Sequence, residues 1–141
     1  MTISPSNRSP AVAAWNRLVR LYQKIDHSSE LNFRSLALNM AWFDVLARVG
    51  AREGLTQNEL ADSLLVTKGN VSQLLTKLVA ENLVQRQAEG RSQRLFLTSR
   101  GRALAAQAVP QQERLLADSF RALSPDEMLH LLRLLRKLEK S

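Results

Sequence analysis

Cysteine is absent from the 141 residues. That excludes disulfides, thiolate metal ligation and thiol redox sensing, and it suits a reducing compartment. Histidine is nearly absent. His27 and His130 are the only two and lie far apart in sequence, so no histidine-built metal site is expected. The five glycines form no phosphate-cradling loop. No apolar run approaches the ~18 residues of a membrane span. The opening MTISPSNRSP lacks the apolar stretch of a signal peptide. These absences lead us to expect a cytoplasmic chain with no membrane partner. No nucleophile–base motif stands out either. Asp26-His27-Ser28 is contiguous in sequence, whereas a catalytic triad needs contiguity in space. Neither an enzyme nor a cofactor is expected.

What is present is an ordinary globular composition, 45% hydrophobic and 23% charged, in a length that suits one domain with a modest core. The formal net charge is +7, which favours a polyanionic partner but speaks only to non-specific attraction. The excess is spread along the chain and forms no basic tail. The placement of individual charges must therefore carry the functional argument.

Residues 1–10, rich in serine and proline, read as a flexible arm. From Ala11 the residues Val12, Trp15, Leu18, Val19, Tyr22 and Ile25 recur at helical spacing. The polar run Asp26-His27-Ser28-Ser29 is expected to break or bend that helix. A second helix follows with Leu31, Leu38, Trp42, Val45, Leu46 and Val49, ending near Gly50 and Gly54. Thr56-Gln-Asn-Glu59 is a capping box that opens a third helix. Leu65-Val66 makes a turn, and Thr67 is expected to cap a fourth helix with an apolar stripe of Val71, Leu74, Leu75, Leu78 and Val79. Asn82 is suited to end it in a left-handed conformation. Leu83–Gln87 and Arg94–Thr98 read as short strands of a hairpin joined through Ala88–Gln93. A long helix starts after Ser99-Arg100-Gly101, with a kink expected near Pro110. Ser124-Pro125-Asp126-Glu127 then begins a last helix by the same capping logic.

The fourth helix has two faces with different duties. Opposite its apolar stripe lie Lys68, Gly69, Asn70, Ser72, Gln73, Thr76 and Lys77, and no acidic residue occurs between Thr67 and Ala80. Asn70 and Gln73 have the paired donor and acceptor that match adenine. Ser72 and Thr76 suit phosphates or a thymine methyl, and Lys68 and Lys77 suit phosphates. Thr56, Gln57 and Thr67, at the starts of the two helices, join this candidate DNA-binding set. Beside them, Arg86, Arg91 and Arg94 cluster on the hairpin, and an arginine at a ribbon tip can enter the minor groove. The residues thus predict a mainly α fold with a small β-hairpin, a winged helix-turn-helix that reads double-stranded DNA. The alternative is a winged helix serving as a protein-interaction or architectural module, which would leave the acid-free face and Arg91 without a purpose.

The stretches LTQNELADSLLVTKGNVSQLLTKLVAENLVQR and EGRSQRLFLTSRG resemble the DNA-binding core of the MarR family of bacterial transcriptional regulators. The family wing usually reads Asp-x-Arg, then Leu-Thr, then Gly; Glu89-Gly90-Arg91, Leu97-Thr98 and Gly101 occupy those places here. The resemblance implies that Arg91 is the wing-tip arginine and that Glu89 orients it. Glu in place of Asp, and the few residues between Val84 and Glu89, are departures that imply a shallower wing. The resemblance further implies a lobe over residues 31–101 that binds DNA and flanks at 11–30 and 102–141 that form a homodimer. It implies a transcriptional regulator, expected to be a repressor, acting on a pseudo-palindromic operator. The broad apolar faces of the first and last helices agree with a dimer base, where Met128–Leu138, Val12, Leu18 and the Leu115–Leu123 region would meet a second copy. Relatives are often released from DNA by a small aromatic effector. Trp15, Tyr22, His27, Arg34 and Trp42 are the residues nearest such a site by this logic, although Trp15 and Trp42 also read as core and no pocket is assigned.

Overall fold

A computed structural model describes residues 9–65 and 70–141. Among these residues it contains six α-helices and one hairpin: α1 (Pro10–Arg34), α2 (Met40–Ala51), α3 (Gln57–Ser63), α4 (Val71–Ala80), β1 (Val84–Glu89), β2 (Ser92–Leu97), α5 (Ser99–Ser119) and α6 (Pro125–Glu139). The arm anticipated at the N-terminus falls almost wholly outside the described residues. Pro10, its last residue, is already helical, as its fixed φ favours at a first position.

The polar run at 26–29 does not break α1, which continues through it to Arg34. Ser29 is fully buried there, and its Oγ accepts a 3.0 Å hydrogen bond from Gln112 Nε2 of α5. A polar residue at this point is a helix-pairing contact, not a breaker. The chain turns instead at Ser35–Asn39, where Ala37 takes a positive φ of 56°. Asn39 then caps α2 by accepting from Trp42 N at 2.8 Å. Pro110 likewise sits within the continuous span of α5.

The core gathers Phe33 from α1, Val45, Leu46 and Val49 from α2, Leu60 from α3, Leu75 and Leu78 from α4, Val84, Leu95 and Leu97 from the hairpin, and Ala108 from α5. Phe33 stacks on Phe43 with ring centroids 4.6 Å apart. Burial of this kind is the main term holding the helices together. Asn82 adopts the left-handed φ of 59° that its place after α4 calls for. Both capping boxes form as the sequence indicates, Thr56 with Glu59 and Ser124 with Glu127.

The flanks are different. No residue of α6 is buried, and Leu129, Leu132, Leu134 and Leu138 are all exposed. Trp15 is 66% exposed, contrary to the expectation that it joins the core, whereas Trp42 packs against it. Trp15 and Phe33 are about five helical turns apart and so share a face of α1. That face is closed at Phe33 and open at Trp15, Leu18 and Tyr22.

Candidate nucleic-acid interface

Helix α4 is seated by Leu75 and Leu78, both at 0% exposure, so its opposite face must point outward. Ser72, Gln73, Thr76 and Lys77 lie exposed on that face. Two of the sequence expectations change here. Asn70 is the N-cap: its Oδ1 accepts from Gln73 N at 3.0 Å, so the carbonyl meant for adenine is committed to starting the helix. Thr76 donates to the Ser72 main-chain oxygen at 2.9 Å. The side chains of Ser72, Gln73 and Lys77 remain unengaged among the described residues. Thr67, Lys68 and Gly69 lie outside the described residues, and the cap expected of Thr67 is supplied by Asn70 instead.

The hairpin is longer and tighter than the sequence suggests. Its register runs from Val84↔Leu97 to Glu89↔Ser92, so Ala88–Glu89 and Ser92–Gln93 belong to strands and the turn is only Gly90-Arg91. Gly90 has a φ of 59°, which is why a glycine fits the first turn position. Leu55 adds a short third edge: Leu95 N donates to Leu55 O at 3.0 Å, and Gly54 N to Leu95 O at 2.8 Å. The wing therefore grows from the loop between α2 and α3 as well as from its own two strands.

The three hairpin arginines do not act alike. Arg91 projects from the turn, exposed and without a partner among the described residues. Arg86 is half-buried, and its Nη2 donates to Ser72 O at 2.8 Å and to Thr76 Oγ1 at 3.4 Å. Arg94 donates from Nη1 to Gly54 O at 2.7 Å and from Nε to the Glu89 carboxylate. Arg86 and Arg94 are each engaged within the chain, which the sequence does not reveal. Glu89 holds Arg94, not Arg91, because neighbouring strands bring residues 89 and 94 together diagonally across the ribbon.

Helix α3 supports this unit from behind. Thr56 Oγ1 accepts from Glu59 N at 3.1 Å, and Glu59 Oε1 accepts from Thr56 N at 2.9 Å. Those bonds from Thr56, main chain first and side chain second, hold the Glu59 carboxyl below its ordinary range, and Arg52 adds to the effect. Thr56 is thus occupied as an acceptor, while Gln57 sits half-buried in the first turn. Sequence reasoning missed two buried or bridging carboxylates. Asp44 of α2 accepts from Leu65 N at 2.8 Å and so pins the turn between α3 and α4. Glu53 accepts from Leu97 N at 2.9 Å and pairs with Arg102. Neither stands in a motif, and only the tertiary fold brings their partners near. Of the residues considered beside an effector, Trp15, Tyr22, His27 and Arg34 are exposed along α1 and Trp42 is half-buried in α2. Among the described residues no helix is long and apolar enough to cross a membrane.

Comparison with known proteins places this geometry. The sequence model of the MarR family matches residues 38–95, which spans α2, α3, α4 and most of the hairpin. An HTH-type transcriptional regulator of Bacillus cereus is 32% identical over 127 residues, covering 89% of this chain and 86% of its own. A mutant of MarR from E. coli, solved in complex with operator DNA, is 27% identical with a TM-score of 0.77, covering 91% of this chain and 95% of that one. BpsR of Bordetella bronchiseptica, whose DNA binding is regulated by 6-hydroxynicotinic acid, is similar in fold at 24% identity and a TM-score of 0.78, covering 90% and 98%.

Proposed function

The chain belongs to the MarR family of transcriptional regulators, and from that premise we propose that it is a homodimeric repressor that reads a pseudo-palindromic operator. One observation carries the reading. The outward face of α4, which has no acidic residue, stands beside a hairpin whose turn presents Arg91, exposed and without a partner among the described residues. Gln73 reads base edges in the major groove, Ser72 and Lys77 contact backbone or base, and Arg91 enters the adjacent minor groove. Thr67, Lys68 and Gly69 precede α4 in sequence and complete the set.

A single reading head of this size binds weakly, and two heads on a rigid base reach half-sites about 34–36 Å apart. The open apolar face of α1 and the wholly unburied α6 support that base, because a second copy would cover both. Residues 11–30 and 102–141 form it, and residues 31–101 form the lobe that binds DNA. Release by a small aromatic effector is the remaining part of the reading, supported by the regulation of BpsR by 6-hydroxynicotinic acid.

A second reading has its own support. Arg86 and Arg94 are spent on internal bonds, which leaves fewer free cations than the sequence promises and fits a protein-interaction module. Duplex binding measured by fluorescence anisotropy across a salt series separates the two, since phosphate contacts release counterions. The repressor reading expects affinity to fall steeply as salt rises. No duplex binding at low salt would favour the interaction module.

A further inference from the structure

We infer that Arg86 and Arg94 are positioning residues that fix the angle between the wing and the reading helix, leaving Arg91 as the wing's sole arginine contact with DNA. The inference rests on the DNA-binding reading above and assigns the arginines of that same site. It begins from the weakness of a two-stranded ribbon, which has little stability of its own. Apolar packing secures only the base of this one, through Val84, Leu95 and Leu97. Farther out, Gln87, Ala88, Glu89, Ser92 and Gln93 are exposed.

The two arginines supply the missing ties, one from each face. Directly opposed residues share a face, so the register puts Arg86 with Leu95 and Arg94 with Gln87 on opposite sides of the ribbon. Arg86 sits two residues beyond Val84, in a position that alternation directs inward. From there its guanidinium crosses to α4 and takes the Ser72 carbonyl. Its Nε is buried with no partner among the described residues, so the group is partly removed from solvent to make that bond. Arg94 crosses the other way to Gly54 O, and Glu89 near the tip holds its Nε. A tilt of the wing toward either side would break one of these bonds. Arginine suits the task because its donors sit in a rigid planar fork, whereas a lysine ammonium ends a flexible stem and holds no fixed angle.

The test uses the full chain and four variants: Arg86→Lys, Arg86→Ala, Arg94→Gln and Arg91→Ala. Amide hydrogen exchange of the free protein should accelerate by about tenfold at Gln87–Glu89 and Ser92–Gln93 in Arg86→Lys and in Arg94→Gln, with the amides of α2 unchanged, a local opening and not global unfolding. Binding to a duplex recovered from a random pool adds a readout that a loss of stability alone would not move. Arg91→Ala should weaken binding by about tenfold in the wild-type background but by less than about threefold beside Arg86→Lys, because a misplaced wing has little contact left to lose. Arg86→Ala made beside Arg91→Ala should leave the salt slope as in Arg91→Ala alone. A slope reduced by about one further unit would instead mark Arg86 as a phosphate contact and overturn the assignment. Unchanged exchange in the Arg86 variants would overturn it too. If wild type bound no duplex, the DNA-binding reading would fall by itself, and the exchange result would still decide whether the arginines hold the wing.

Discussion

Gly101 lies against the main-chain oxygen of Leu83, so closely that a Cβ at position 101 would stand 2.1 Å from it. The same oxygen accepts from Thr98 N at 3.1 Å. Thr98 Oγ1 donates to Asn82 O at 2.6 Å and accepts from Gly101 N at 2.9 Å. The start of α5 is thereby locked onto the junction between α4 and β1. Helix α5 also runs out toward α6, so the junction links the reading head to the flanks. We predict that Gly101→Ala destabilises the fold by about 1–3 kcal/mol through forced backbone displacement. Urea unfolding measures it, and a change within about 0.5 kcal/mol, typical of a surface site, would contradict the packing described.

Acid should loosen both capping boxes. The Glu59 and Glu127 carboxyls are held below their ordinary value of 4.5, in each case first by the main-chain N–H of the cap residue, Thr56 or Ser124. A lowered carboxyl pKa means that the stabilisation is present above the unfolded pKa and is lost as pH falls through the folded one. Glu59→Gln keeps a side chain able to accept the cap bond but removes the titration. Thermal midpoints followed from neutral to acid pH should therefore fall less steeply in Glu59→Gln than in wild type. Parallel curves would show that the Glu59 box adds nothing to acid sensitivity.

Base reading and phosphate contact should separate by residue. Gln73→Ala is expected to relax base preference and cost about 1–3 kcal/mol on the best site. Arg91→Ala is expected to weaken binding to most duplexes and lower the salt slope by about one unit. Operator affinity untouched by both changes would rule out the docking of α4 and the wing described above.

The dimer base makes a separate prediction. Leu129 and Leu138 are 66% and 64% exposed in a single copy, so replacing both with Glu leaves the protomer core intact. If α6 packs on a partner, Leu129→Glu with Leu138→Glu should weaken association by at least about tenfold by sedimentation equilibrium. Truncation after Leu123 should abolish both dimer and operator binding. A truncated monomer that folds and binds fully would remove the dimer from the mechanism.

Local signals in the sequence hold where local chemistry decides the outcome. The Thr56–Glu59 and Ser124–Glu127 boxes form because each bond spans only three residues, and Asn82 takes its left-handed φ because a short amide side chain tolerates it. Signals failed where a distant element decides. The run at 26–29 reads as a break until Gln112, 83 residues away from Ser29 in sequence, appears opposite it. The three hairpin arginines look equivalent until Ser72 and Gly54 take up two of them. The cap of α4 is a local exception, because Asn70 and not Thr67 accepts from Gln73 N three residues on. Trp15 misleads for a related reason: its stripe is apolar, but among the described residues none covers it.

The central claim, that two copies of one reading head are held at a fixed spacing on DNA, is tested most directly by selecting bound sequences from a random duplex pool with the full-length protein. The account predicts an enriched pseudo-palindrome whose half-sites repeat about one helical turn apart. Enrichment of a single unrepeated site, or none at all, would contradict it.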